Sequence, residues 1–383
     1  MTKGIFIDDD EDQQRVLSAL LSQGGIDFSE IVPPTTISDV SKRVLHIVPD
    51  IIVMDYRLDV VRKEGYDSDF RAGGLAQVLR ELFLEHPDND APIVLLSTEQ
   101  NIRNLFAPDK TSHDLFDLWF LKAKLQSPEP GSRDDMLSAL GGLVTAYSDI
   151  KQITDNVDSE HLVRSLLKLE QYEYATIPTE GLKPLLVNAG GEPEATHLIA
   201  RQILKRLIEK PGILLDESTL RARLGISEND HNGFSALTAA AGFDEFLYDG
   251  VFSSHWKRFW RHRFNQWAGE TFDYPLSGII GAERVGLLNA KFDLEIIPAV
   301  SRWSGTSSEF FVTACRVCDG PTELRYSVAA FDPRITAFSE RGRICYDCVD
   351  RQEELERKQI RIEEADEQIV RDIRSNIIKR PGE

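Results

Sequence analysis

The sequence predicts a multidomain protein: an N-terminal α/β domain on a parallel sheet, a mainly helical region, a small four-cysteine module and a long C-terminal helix. Three observations carry this. Short apolar runs recur through the first third, and each ends in a polar residue suited to chemistry. Helical periodicities dominate after a Pro/Gly-rich break at 127–132. All four cysteines fall in two C-x-x-C pairs, followed by a charged tail with an apolar stripe. A chain of 383 residues is too long for one small domain.

The N-terminal domain is organised around Ile51-Ile52-Val53-Met54-Asp55. Four apolar residues running into a carboxylate describe a strand buried on both faces, with Asp55 at its carboxyl end, where open α/β sheets hold their ligands. Ile5-Phe6-Ile7 runs into Asp8-Asp9-Asp10, whose mutual repulsion calls for a cation, and a hard divalent ion such as Mg²⁺ takes oxygen ligands of this kind. Ile93 to Leu96 leads to the hydroxyl pair Ser97-Thr98, and Phe116 to Leu121 leads to Lys122.

This series of strand ends resembles the receiver domain of two-component response regulators, over roughly residues 3–127. The resemblance implies a doubly wound, flavodoxin-like fold. It makes Asp55 the phosphoacceptor, Asp8 and Asp9 with Asp55 the Mg²⁺ ligands, Ser97 the switch hydroxyl and Lys122 the lysine at the phosphoryl group. Trp119 takes the place of the aromatic switch residue, and a histidine kinase or phosphotransfer protein becomes the expected partner. Two features depart from the family. Ala123 stands where a proline usually follows the lysine, so a trans peptide is expected there. A charged insertion, Val60 to Ala72, lies beside the acceptor and reads as a docking element, a lid or a solvated loop.

Residues 128–158 read as a linker and a connector helix through Leu137, Leu140, Leu143 and Val144. Residues 159–290 read as a helical domain. Within it Asp216 to Thr238 has the outline of a helix-turn-helix, with Gly225 at the turn and Ser227 capping a second helix that starts at Glu228. Carboxylates at that start would face phosphates, which disfavours DNA reading. His255 to Trp267 reads as one helix with Trp256, Phe259, Trp260, Phe264 and Trp267 on a stripe and Lys257, Arg258, Arg261 and His262 across from it. A core face explains the aromatics more simply than a base-stacking platform.

Cys315 and Cys318, then Cys345 and Cys348, resemble the paired knuckles of a zinc ribbon within a module at 291–350. Four thiolates close the coordination shell, so Zn²⁺ here is expected to be structural. Leu324 to Ala330 and Ile335 to Phe338 are the expected ribbon strands. Residues 351–383 read as a long amphipathic helix with Ile362, Ala365, Ile369, Ile373 and Ile377 on one face, packed on its own domain or on a second protomer in a homodimer.

A net charge of −19 argues against broad attraction to nucleic acid or anionic membrane. No stretch approaches the ~20 apolar residues of a membrane span. The start at Met1-Thr2-Lys3 leads straight into a strand with no signal-peptide pattern, so the expected location is cytoplasmic, with cysteines as thiols or metal ligands. The sequence thus reads as a non-enzymatic signalling protein with output through an unidentified protein partner. A nucleic-acid-binding regulator, or a pseudo-receiver that docks without phosphorylation, is the alternative.

Overall fold

The computed structural model describes residues 2–59, 70–106, 114–127, 131–175, 177, 181–333, 335–352, 355, 358 and 360–382. Most of the charged insertion (Arg62, Lys63, Glu64, Asp67, Asp69) and residues 128–130 of the linker lie outside these. The chain divides into two compact units. One comprises Met1–Gln171, Leu182–Leu204 and Asp249–Trp256; the other Tyr172–Gly181, Lys205–Tyr248 and Lys257–Glu383.

In the first unit β1 (Lys3–Ile7), β2 (Asp27–Ile31), β3 (Ile51–Met54), β4 (Ile93–Ser97) and β5 (Leu118–Leu121) form a parallel sheet in the order β2-β1-β3-β4-β5. This is the flavodoxin-like order, with its switch point between β1 and β3. Helices α1 (Glu11–Leu21), α2 (Ile37–Ile47), α3 (Ala72–Glu85), α4 (Glu99–Phe106) and α5 (Lys122–Gln126) make the crossovers and close the β-α series. Ile5, Ile7, Ile52, Met54, Ile93 and Leu95 pack on Val40 and Val44 of α2 and Leu75, Leu79 and Phe83 of α3. Phe6, Val53, Val94 and Leu96 alternate with them and are also buried, as a sheet covered on both faces requires. At Gly4 a Cβ would lie 2.5 Å from the Phe28 ring, so only glycine lets β1 and β2 approach.

The unit runs past residue 127, where the sequence suggested a boundary. Helix α6 (Ser132–Asn156) packs on α5, and α7 (Leu162–Leu167) on α6. A buried ionic cluster fastens α6 to the amino-terminal end of the sheet. Arg80 donates to Asp117 at 2.7 Å and to the Ala91 carbonyl at 3.2 Å, and Tyr147 of α6 donates to Asp117 at 2.7 Å. Burial alone would lower the Arg80 pKa, but Tyr147, Asp117 and Asp90 outweigh it and the pKa is raised. Beyond α8 (Gln171–Tyr174) and α9 (Lys183–Leu186), α10 (Thr196–Ile203) joins the same cluster. The His197 backbone N–H donates to Asp90 at 2.8 Å, and its ring Nδ1 lies 2.8 Å from the same oxygen.

In the second unit β6 (Leu214–Leu215) pairs with β7 (Phe259–Trp260), and α11 (Glu217–Leu224), α12 (His231–Ala240), α13 (Arg261–Thr271) and α14 (Gly281–Phe292) surround an aromatic core. Gly225, at φ +76° between α11 and α12, meets Gly281 so closely that a Cβ would lie 2.6 Å from it. The cysteine module carries two antiparallel hairpins, β8 (Phe311–Ala314) with β9 (Pro321–Glu323) and β10 (Ser327–Ala329) with β11 (Arg343–Cys345), then α15 (Tyr346–Arg351) and α16 (Glu367–Arg374).

Four expectations are corrected. Residues 351–383 do not form one long helix: Gln352 has φ +51°, Ile362 pairs with Ala330, the Phe331 N–H donates to the Arg361 carbonyl, and α16 begins only at Glu367. Ile360 and Ile362, two apart, pack on the cysteine module, and backbone pairing there overrides helical spacing. His255 to Trp267 is not one helix; β7 interrupts it because Leu214 and Leu215 pair with Phe259 and Trp260. The second helix of the α11–α12 pair starts at His231, capped by Asp230 rather than Ser227. Among ribbon strands, Ile335 to Phe338 forms none, because the Phe338 carbonyl accepts from Ile213.

Candidate functional site

Register brings the polar strand ends together. Ile7 pairs with Met54, so Asp8 and Asp55 emerge side by side; Ser97 pairs with Leu121, so Lys122 emerges beside the hydroxyl. The Ser97 hydroxyl donates to Asp55 Oδ1 at 2.6 Å. Lys122 Nζ lies 2.8 Å from Asp8 Oδ2 and 3.3 Å from Asp55 Oδ2. Lys122 follows β5 directly as the first residue of α5, and no described peptide bond is cis. Trp119, opposite Leu95 on β5, is 44% exposed.

Burial raises the Asp8 pKa, against the pull of Lys122. Burial also opposes the Lys122 ammonium, but Asp55 and Asp8 win and its pKa is raised. One cation among these carboxylates leaves negative charge uncompensated. Carboxylate oxygens of Asp8, Asp9 and Asp55 lie within 4.8 Å of one another, and Asp9 is only half-buried. Hard oxygen donors at an open position suit Mg²⁺.

Three roles escaped the sequence reading. Asp10 is a helix cap: it accepts from the Asp12 and Gln13 backbone N–H groups, and its pKa is lowered, chiefly by the Gln13 N–H. Gln13 donates to Asp10 and accepts from Lys122 at 3.3 Å, holding the ammonium from a third side. The Asp-x-x-Gln spacing was the available signal for this capping pair. Asn101, one turn beyond Ser97, donates to its hydroxyl at 3.3 Å.

The second constellation is the cysteine quartet, whose four sulfurs lie within 4.8 Å of one another. Cys318 and Cys345 Sγ are 3.8 Å apart, far beyond a disulfide at ~2.05 Å. Sulfurs ~2.3 Å from a tetrahedral zinc would stand at about this separation. Cys315 Sγ accepts from the Val317 and Cys345 N–H groups at 3.4 and 3.3 Å. Cys318, then Cys345 and Cys348, hold its pKa well below the ordinary thiol range. The donor set fits a closed zinc site.

The other candidates are spent on packing. Phe259, Trp260 and Phe264 are core residues. Arg258 donates to the Ile208 carbonyl, Arg261 pairs with Glu340, and Arg263 and His262 pair with buried Glu173. Helix α12 carries no lysine or arginine. No helix among the described residues is long and apolar enough to cross a membrane.

No protein-family model and no curated protein matches the chain. Among solved structures, the BeF3-activated N-terminal receiver domain of RstA from Klebsiella pneumoniae is 18% identical with a TM-score of 0.27, over 37% of this chain and 98% of that one. A DNA-binding response regulator of the LuxR family from Staphylococcus aureus is 11% identical with a TM-score of 0.26, over 38% and 99%. A mutant of RitR is 12% identical with a TM-score of 0.30; the match covers 40% of this chain and 56% of that one, so this chain spans about half of it.

Proposed function

We propose that this chain is a response-regulator-type signalling protein that accepts a phosphoryl group on Asp55 from a histidine kinase or phosphotransfer protein. Its second unit, stabilised by zinc, would pass the signal on through protein contacts. The observation that carries this reading is the convergence on Asp55: one carboxylate oxygen accepts from Ser97, the other faces Lys122, and Asp8 and Asp9 lie alongside.

An Asp55 oxygen attacks phosphorus, the P–N bond to the donor imidazole breaks, and its electron pair returns to the ring nitrogen, which takes a proton. The negative charge on the phosphoryl oxygens then meets the Lys122 ammonium and the Ser97 hydroxyl, groups already fixed in place, so little reorganisation is required. Mg²⁺, held by Asp8, Asp9 and Asp55, would neutralise further charge there. Zn²⁺ on Cys315, Cys318, Cys345 and Cys348 would be structural. A reduced four-thiol centre suits a cytoplasmic setting.

The test is incubation with acetyl phosphate and Mg²⁺. Wild type should acquire one hydroxylamine-labile phosphoryl group, with a change in tryptophan fluorescence as Ser97 moves and Trp119 responds; Asp55→Asn should acquire none. No uptake by folded wild type, from acetyl phosphate or from kinases, would leave a docking module with a receiver fold.

A further inference from the structure

The four-cysteine centre has an uneven surround. Cys315, Cys345 and Cys348 are buried, whereas Cys318 is only partly so. On the Cys318 side stands Arg302, from the segment between α14 and β8. A Cβ built on Gly320 would lie 3.1 Å from Arg302 Nε, 3.3 Å from Cys318 Sγ and 3.6 Å from Glu228 Oε1, so guanidinium, sulfur and carboxylate converge on one spot that glycine keeps clear. Arg302 donates to Glu228 Oε1 from Nε at 3.3 Å and from Nη2 at 3.1 Å.

Four thiolates around a divalent ion leave two negative charges in a mostly buried place. A nearby cation offsets them over a distance at which the interaction is only partly screened. Glu228 belongs to the connection between α11 and α12, and its carbonyl accepts from Arg221 at 2.9 Å. We infer that Arg302 is the charge-balancing and positioning cation of the zinc–thiolate centre, and that through Glu228 it ties the centre to the α11–α12 connection. This rests on the zinc reading given above. The centre then does more than hold the hairpins: its net negative charge keeps Arg302, and with it the start of α12, in place.

The experiment uses the full chain loaded with zinc, and in parallel with cobalt, as wild type, Arg302→Gln and Arg302→Lys. Cobalt spectra should show the same four-thiolate signature in all three, since no ligand is altered. Zinc transfer to a chelator should be about 10-fold faster from Arg302→Gln, the lower end of what losing a supporting partner costs a metal site. Arg302→Lys should stay near wild type. Raising salt should speed release from wild type more than from Arg302→Gln, because only wild type has the attraction to screen. Amide exchange at residues 226–230 should quicken in Arg302→Gln with metal still bound. Release from Arg302→Gln at the wild-type rate, or equally fast release from the lysine variant, overturns the inference while the zinc reading stands. Wild type without a tetrahedral thiolate spectrum overturns both.

Discussion

The carboxylate cluster of the first unit and the cysteine quartet of the second both gather charged side chains around a place for a metal, and they are built in opposite ways. Asp8, Asp55, Ser97 and Lys122 come from four strand ends spread over more than a hundred residues, aligned by the register of a sheet with a full apolar core. That scaffold should stand without a metal. Cys315, Cys318, Cys345 and Cys348 sit on two knuckles joined to strands of three or four residues, and the sulfurs themselves are part of the local core. A metal on these ligands would add to the limited core that a small module can build. One site is open and placed by its fold; the other, with four thiols facing one another, is the kind that would hold its fold together once loaded. Openness suits a switch, and closure suits a staple.

The largest effect that would break this contrast is at the quartet. Cys345→Ser should lose zinc and the ordered structure of residues 311–374, because zinc-finger-type binding, an apparent ~10–16 kcal/mol, is also folding energy. Metal analysis and limited proteolysis would register this, and stoichiometric zinc with native protection would refute it. A strong chelator should do the same to wild type while leaving the unfolding of the first unit where it was.

Next comes the base of the five-stranded sheet. Arg80→Met strands Asp117 and Asp90 in a buried site and should cost about 3–5 kcal/mol in urea unfolding of that unit. A loss under ~1 kcal/mol would mean that the cluster is dispensable and the apolar core alone carries the scaffold.

A smaller effect on stability, with a large one on function, is expected for Asp8→Asn. The substitution removes a carboxylate that burial already penalises, so stability should stay within ~1 kcal/mol. Mg²⁺-dependent phosphoryl uptake should fall at least about 10-fold, as the loss of a metal-site partner implies. Unfolding of the unit in this variant would show that the oxygen site, too, is a staple.

The smallest is Asn101→Ala. It removes one hydrogen bond to the Ser97 hydroxyl, worth about 0.5–1.5 kcal/mol, and should change the rate of phosphoryl uptake by about 2- to 10-fold without affecting stability. An unchanged rate would assign the orientation of Ser97 to Asp55 alone.

Much of both sites was legible because the signals are local. A buried strand running into Asp55, or two thiols on one knuckle, reads directly from neighbouring residues. The supporting groups were not legible in that way. Gln13 reaches Lys122 across more than a hundred residues, and Arg80 reaches Asp117 and Asp90 from a helix whose spacing says only that it is amphipathic.

The sequence alone determined the run of strands and crossovers, the identity of the four strand-end groups and the pairing of the cysteines, since each rests on periodicity or short spacing. Tertiary structure decided the rest. Ile362 suits the helical stripe it shares with Ala365 and Ile369, but a backbone bridge to Ala330, beside β10, holds it out of helix because that edge had backbone groups to satisfy. Phe259 and Trp260 suit a helix until Leu214 and Leu215 supply a partner. Where a short apolar pattern fits two periods, the free energy of backbone hydrogen bonds made elsewhere in the chain selects between them, and no window of neighbouring residues contains that information.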